Sequence, residues 1–329
     1  MQGLLAAMSS PPAPPDTASG APPGSPSRPP PRPLPGRVAR IGPGIRRILA
    51  PNPSPMTYWG TNTFLVGEGA VTVIDPGPAI PAHLEAILAG LDAGERIARI
   101  LVTHAHLDHA PLARPLAAAT GAKTHAFGGP TDGRSEVMQA LAAQGLAGGG
   151  EGVDRGFVPD VRLEDGEPID LGDGTEIVAL WTPGHFSNHL CFALGDAVFT
   201  GDQVMGWAST MISPPDGDVT AFLSSCDKLA ARGDRVFLPA HGDAVADPAG
   251  RLAWLTDHRR AREAQILAAL TPGPATIAAL VQEIYTETEP RLLPAAERNV
   301  FAHLIDLEGR GLVRAHPGLS PGARFERIG

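Results

Sequence analysis

The chain has 329 residues, 43% hydrophobic and 19% charged, with a formal net charge of −9. That length suits one large domain and one small one, and the acidic balance argues against a phosphate-binding surface. Two cysteines, Cys191 and Cys226, do not indicate a disulfide framework, which fits a reducing compartment, and the cytoplasm is the default expectation.

Many of the 35 prolines fall in the first 35 residues, as in Ser10–Pro15 and Arg28–Pro33. Such a segment buries too little apolar surface to offset chain entropy, so residues 1–35 are expected to be a disordered or polyproline arm, with Met8 as an alternative start. The apolar run Gly3–Met8 is too short for a signal peptide and lacks a basic flank. No run reaches the length of a membrane span, so no membrane partner is expected. Thr63–Val66 and Val71–Ile74 read as a β pair, and Leu84, Ile87, Leu88 and Leu91 give helical spacing over Ile80–Leu91. The strand Ile100–Val102 runs into a polar loop, after which Pro111 suits the first turn of a helix toward Ala119. The glycine-rich stretch from Gly128 to Gly156 holds one short helix, Arg134–Leu146, and is expected to flank the cleft. Three apolar runs, Ile177–Trp181, Ala197–Phe199 and Val236–Leu238, read as buried strands, and Val219–Ala231 as a covering helix. Beyond Asp247, a helix marked by Leu252, Leu255, Ile266 and Leu270 ends at Pro272-Gly-Pro274. Helices over Thr276–Tyr285 and Ala295–Glu308 then precede a β pair, Leu312–Ala315 against Arg324–Ile328.

The loop after Val102 reads His104-Ala-His106-Leu-Asp108-His109, four ligand-type side chains in six residues of a chain with eleven histidines. Three imidazoles and a carboxylate this close repel one another if charged, but share a divalent metal readily. A chance cluster of histidines on a polar loop is the bland alternative. Against it, three more strand ends repeat the pattern: Thr182-Pro-Gly-His185, Thr200-Gly-Asp202 and Pro239-Ala-His241-Gly. In each, small residues turn the backbone where a strand stops and present one ligand.

This ordered set resembles the metallo-β-lactamase superfamily over about residues 37 to 260. The resemblance implies an α/β fold, an αβ/βα sandwich with a dinuclear site at one edge. It places His104, His106 and His185 on one metal and Asp108, His109 and His241 on the other, with Asp202 bridging. The diiron oxygen-reducing branch carries Glu where this chain has His106, so zinc, two ions per chain, is expected, with manganese or iron as alternatives. The stretch Asn52–Gly67 is similar to the start of the lactamase-beta-like-protein-2 group, which includes a mitochondrial endoribonuclease and carries a C-terminal winged helix. That implies a metal-binding domain over 36–260 and a linker helix with a winged-helix-like unit over 261–329. Asn62 would cap or line the cleft, Asp75 at the end of Val73–Ile74 would orient a ligand, and His189 would orient a ligand or touch substrate. For Asn62 a backbone-fixing turn, and for His189 a strand-edge histidine, are equally good readings. Ala110 and Phe186 depart from the family pattern, which commonly has Gly and Thr there, and are expected beside the cleft.

Two adjacent divalent ions lower the pKa of a shared water to near neutrality. The expected activity is hydrolysis of a small ester or thioester by the resulting hydroxide, with Asp108 and Asp202 holding it. Cleavage of single-stranded RNA is the alternative, but from residue 272 onward there are six Arg, no Lys and seven acids, a poor phosphate-binding footprint. A structural or homodimerising role suits the C-terminal unit better. Only 38 residues, 203 to 240, separate Asp202 from His241, too few for the extra domain of β-CASP nucleases. A non-catalytic member of the fold, or an iron-dependent oxygenase, are further readings; the complete ligand set argues against the first.

Overall fold

In the computed structural model, which describes residues 32–149, 152–172 and 174–328, the short apolar strands assemble into two facing sheets. The arm expected over residues 1–35 lies, up to residue 31, outside the described residues. The first sheet runs in chain order: β1 (Val38–Gly42), β2 (Ile45–Leu49), β3 (Asn62–Val66), β4 (Ala70–Ile74), β5 (Arg96–Leu101), β6 (Lys123–Ala126) and β7 (Val161–Arg162). Its first four strands are antiparallel hairpin neighbours, whereas β4 to β7 are parallel. The parallel crossovers carry α1 (Pro81–Ala89) and α2 (Ala113–Thr120), since parallel strands need a long return path, normally a helix. The second sheet comprises β8 (Pro168–Asp170), β9 (Glu176–Trp181), β10 (Leu190–Leu194), β11 (Ala197–Gly201) and β12 (Val236–Pro239), in the order β12-β11-β10-β9-β8. Only its β11–β12 pair is parallel, and the crossover between them carries α4 (Val219–Ala230).

Three apolar layers follow from this order. Phe64, Ile74 and Leu101 of the first sheet meet Ile177, Phe192 and Phe199 of the second, with Phe64 and Phe199 edge to face at 5.0 Å. The outer face of the first sheet packs under α1 and α2 through Leu65, Val73, Ile87 and Leu116. The outer face of the second packs under α4 and α5 (Pro248–Ala269) through Val198, Phe237, Phe222 and Leu255. Strands buried on both faces lose the alternating polar pattern, which is why they read as continuous apolar runs.

A fourth apolar cluster holds the C-terminal part together. It joins α3 (Glu136–Ala143), the end of α5, α6 (Ile277–Ile284), α7 (Leu293–Gly309) and the small sheet of β13 (Ala275–Thr276), β14 (Val313–His316) and β15 (Arg324–Arg327). Helix, helix and a two-stranded wing are the arrangement read from the sequence. Helix α5 is continuous across residue 260: Leu252 and Leu255 serve the second sheet's core, Ile266 and Ala269 the C-terminal one.

Helix limits differ from the sequence reading for local reasons. Helix α2 starts at Ala113 rather than Pro111, because the Leu112 N–H bonds to Gly77 O and ties the loop to β4. Helix α3 starts at Glu136 because Arg134 is drawn out to Asp216, 2.5 Å away. Strands β1 and β2 have no clear sequence signal. Arg46 interrupts the apolar pattern of β2, yet it is buried in a 2.6 Å ion pair with Glu95. Among the described residues no helix is long and apolar enough to cross a membrane.

Candidate metal centre

The carboxyl ends of β5, β9, β11 and β12 converge at one edge of the sandwich, and each delivers ligand-type side chains there. The loop after β5 carries His104, His106, Asp108 and His109; His185 follows β9, Asp202 follows β11, and His241 follows β12. All seven are buried. Two glycines make the approach possible. A side chain at Gly184 (φ +152°) would stand 2.4 Å from Phe222 Cα, and one at Gly201 (φ +49°) 2.5 Å from His189 Nε2.

The side chains form two groups, each able to hold one cation: His104, His106, His185 and Asp202, and beside them Asp108, His109 and His241. In the first, His106 Nδ1 lies 2.9 Å from His104 Nε2 and 3.1 Å from His185 Nε2, and His185 Nε2 is 3.6 Å from Asp202 Oδ2. In the second, Asp108 Oδ2 is 3.2 Å from both His109 Nε2 and His241 Nε2. Asp202 faces both groups, with Oδ1 3.2 Å from His241 Nε2 and Oδ2 3.6 Å from His109 Nε2.

The donor set fits divalent ions. On four rings the outer nitrogen is already committed: His109 Nδ1 to Asp75 Oδ2 (2.9 Å), His185 Nδ1 to Met211 O (2.8 Å), His241 Nδ1 to Gly60 O (3.1 Å) and His104 Nδ1 to Thr103 Oγ1 (3.0 Å). Carboxylate and carbonyl oxygens only accept, so these nitrogens carry the protons and the Nε2 lone pairs point inward. Thr103 Oγ1 donates to Asp75 Oδ2 and is left to accept from His104. His109 Nε2, Asp108 Oδ1 and Asp202 Oδ1 are buried without a hydrogen bond of good geometry, which costs about 1–3 kcal/mol apiece unless a cation satisfies them.

Electrostatics agrees. Burial, reinforced by neighbouring imidazoles, pushes His104 far down and His106 to about 3, so both rings are neutral ligands at pH 7. Burial also pushes His241 down, but the Asp202 and Asp108 carboxylates outweigh it and raise it to about 10. Burial alone would raise Asp108 and Asp202; the His109 and His241 rings override it and hold both carboxyls well below their usual range. The pocket of carboxylates thus demands positive charge, which protons on the rings or divalent cations supply.

The other sequence candidates stand one layer out. Asp75, at φ +50°, accepts from Thr103 N (2.8 Å) as well as from His109. His189 is fully buried; its Nε2 accepts from Asp202 N (3.2 Å) and its Nδ1 pairs with Thr182 Oγ1, so it does not face substrate. Asn62 does not line the cleft. Its amide donates to Pro239 O (3.1 Å) and Gly242 O (2.9 Å), and so shapes the turn that presents His241. Ala110 is buried and Phe186 lies edge-on behind His106 at 4.8 Å, so neither borders the cleft as expected. Sequence reasoning missed Thr103, which has a faint signal in the Val-Thr-His context, and the carbonyls of Gly60 and Met211, which have none.

Residues 56–241 match the Metallo-beta-lactamase superfamily, more than half of the chain. The chain belongs to that superfamily. Residues 276–319 match the Beta-lactamase associated winged helix domain. Over 297 residues the chain is 32% identical to the Beta-lactamase-like protein 2 homolog of Drosophila melanogaster, covering 84% of this chain and 92% of the relative. It is 31% identical to the Atrochrysone carboxyl ACP thioesterase of Aspergillus chevalieri, covering 77% and 76% of the two chains. A solved Beta-lactamase domain protein from Burkholderia ambifaria superposes with a TM-score of 0.74 at 24% identity, over 90% of this chain and 95% of that one; this likeness speaks for the fold. As a superfamily member with this ligand cluster, the chain is a metal-dependent hydrolase.

A solvent-open pocket has His106, His185, Asp202 and His241 among its lining residues. Its walls include Met56, Met205, Trp207 and Met211 from the sandwich, and residues of the C-terminal unit. A mostly apolar lining with a few convergent polar groups is the make-up of a small-molecule site.

Proposed function

We propose that this superfamily member hydrolyses the ester or thioester bond of a small, uncharged acyl compound at a dinuclear zinc site. One observation carries the reading: among the described residues lining the pocket there is no Lys or Arg, and the walls beyond the ligands are mostly apolar. A phosphodiester needs cationic partners for its flanking phosphates; an acyl chain needs apolar surface and finds it. The thioesterases named among the relatives favour the same choice.

Bound divalent ions would supply a lowered pKa for water and positive charge for the oxygen on which negative charge develops. The protein's own part is positional. His104, His106 and His185 would hold one ion, Asp108, His109 and His241 the other, and Asp202 would contact both. Asp108 and Asp202, kept ionised by the adjacent imidazoles, accept hydrogen bonds from the attacking water and hold it beneath the acyl carbon. With only nitrogen and oxygen donors the site suits zinc, and manganese or iron after it.

The test compares turnover of an acyl thioester and of a single-stranded RNA oligomer by zinc-repleted protein, with His104→Ala as control. Thioester cleavage lost in the control is expected, with RNA binding too weak to detect at physiological salt. RNA cleavage that the control lacks, without thioester turnover, would overturn the reading.

A further inference from the structure

The pocket over the metal centre is not made by the sandwich alone. Together with Trp207 and Met211, it is lined by Tyr285, Thr288, Leu292 and Ala295, all from the segment between the end of α6 and the first turn of α7. This wall is fixed in register with the ligands. Asn299 Oδ1 accepts from Ile212 N (3.1 Å) and from Arg259 (3.2 Å), and the preceding Met211 carbonyl orients His185. Arg298 reaches Ser213 Oγ and Ala147 O, and Thr220 Oγ1 donates to Asp306 Oδ1 at 2.6 Å. Tyr285 is backed by the Arg262 guanidinium, 3.9 Å above its ring. Five hydrogen bonds at Asn299, Arg298 and Asp306 make α7 a built wall rather than a tethered flap.

The wall's chemistry says what it holds. It carries one aromatic ring, one leucine and two alanines, Ala295 and Ala296, with hydroxyl and amide groups at Thr288 and Asn299, and no charge. We propose that the C-terminal unit supplies the acyl-binding part of the active site: Leu292 and Tyr285, together with Trp207 and Met205, take the hydrocarbon part of the substrate, and Ala295 sets the length of chain that fits. This rests on the ester or thioester reading above. It gives the winged-helix-like unit a role in substrate selection, for which it needs no basic surface.

The experiment has two arms. In the first, kcat/KM of zinc-repleted wild type, Ala295→Phe and Thr288→Phe is measured across thioesters from acetyl to decanoyl. Wild type should gain up to about fourfold per methylene until the pocket is full. Each Phe variant should lower the decanoyl-to-acetyl ratio at least tenfold, whereas Glu297→Ala, exposed on α7, should keep the wild-type ratio. Thr288 lies outside the apolar clusters, so its variant serves if Ala295→Phe does not fold. In the second arm, calorimetry follows decan-2-one, which has no leaving group, and should show tighter binding to wild type than to either variant. Decanone binding weakened by the Phe variants supports the subsite even if no thioester is turned over, an outcome that sinks only the hydrolytic reading. Thioester turnover with one chain-length profile for wild type and both variants, or absence of decanone binding, overturns the subsite and leaves the hydrolytic reading standing.

Discussion

Asp75 Oδ2 stands 2.9 Å from His109 Nδ1, a buried contact that turns His109 Nε2 toward Asp108 and Asp202. Both Asp75 oxygens receive only donors: Thr103 N on Oδ1, Thr103 Oγ1 and His109 Nδ1 on Oδ2. In Asp75→Asn one oxygen becomes an amide nitrogen, so either flip sets donor against donor, while the φ of +50° remains accessible to Asn. The backbone is therefore kept, and the amide nitrogen meets a donor either at His109 Nδ1 or at the Thr103 N–H that anchors the side chain beside it. Zinc affinity of the group containing His109 should fall about 10- to 100-fold, read by competition with a chromophoric chelator. Wild-type affinity for both equivalents in Asp75→Asn would show that the contact orients nothing.

Asp202 and His189 should separate cleanly. Asp202 faces both ligand groups, whereas His189 supports only its backbone N–H. Asp202→Ala is expected to lose activity outright and bind less than one zinc per chain. His189→Ala leaves a buried N–H without a partner, costing about 1–3 kcal/mol, and should retain most of its zinc in elemental analysis. Equal zinc loss in the two variants would move His189 into the ligand set.

What could be read ahead of the structure was what repeats along the chain. Ligands placed at strand ends announce themselves because an apolar run, a small-residue turn and a metal-binding side chain follow in order, as at Thr182–His185 and Pro239–His241. The helices of the C-terminal unit were legible from their apolar spacing. Arg46 hid β2 because its partner Glu95 lies far along the chain, and the choice between the cleft-lining and backbone-fixing readings of Asn62 stayed open because its two acceptors come from the loop around His241. The pocket wall of Tyr285, Leu292 and Ala295 was invisible for the same reason: each residue alone reads as ordinary helix packing, and only the tertiary fold brings it into one pocket with Trp207.

His83 should make the protein acid-sensitive apart from its metal site. It is 1% exposed, its Nε2 is 2.8 Å from Thr63 Oγ1 and its Nδ1 is buried without a partner. Burial lowers its pKa from 6.5 to about 4. The unfolded chain therefore takes up a proton near pH 6.5 that the folded chain refuses, so stability is full above pH 6.5 and is lost as pH falls toward 4. The loss amounts to at most about 3 kcal/mol. Urea unfolding of wild type and His83→Gln at pH 7, 6 and 5 isolates this contribution. The stability gap between them should shift in the variant's favour as pH falls; a gap independent of pH would refute the assignment.

Gly184 gives the sharpest steric test. An alanine there would place Cβ 2.4 Å from Phe222 Cα and 2.9 Å from Phe222 N, backbone atoms of a core helix that no rotamer change can move. Either α4 retreats from the second sheet or the Pro183–His185 turn swings out, and both displace His185. Gly184→Ala should cost about 3 kcal/mol or more. The zinc content should fall from two toward one, because His104, His106 and Asp202 lose their fourth partner while Asp108, His109 and His241 keep theirs. Gly195→Ala is a control for positive φ in its milder left-handed form (+58°), with nothing within 4 Å of the added carbon. It should cost only about 1 kcal/mol of backbone strain and leave both zinc equivalents in place. Thermal melts and zinc analysis of the two variants decide the matter: similar losses in both would mean that backbone strain, not the closeness of Phe222, fixes glycine beside His185.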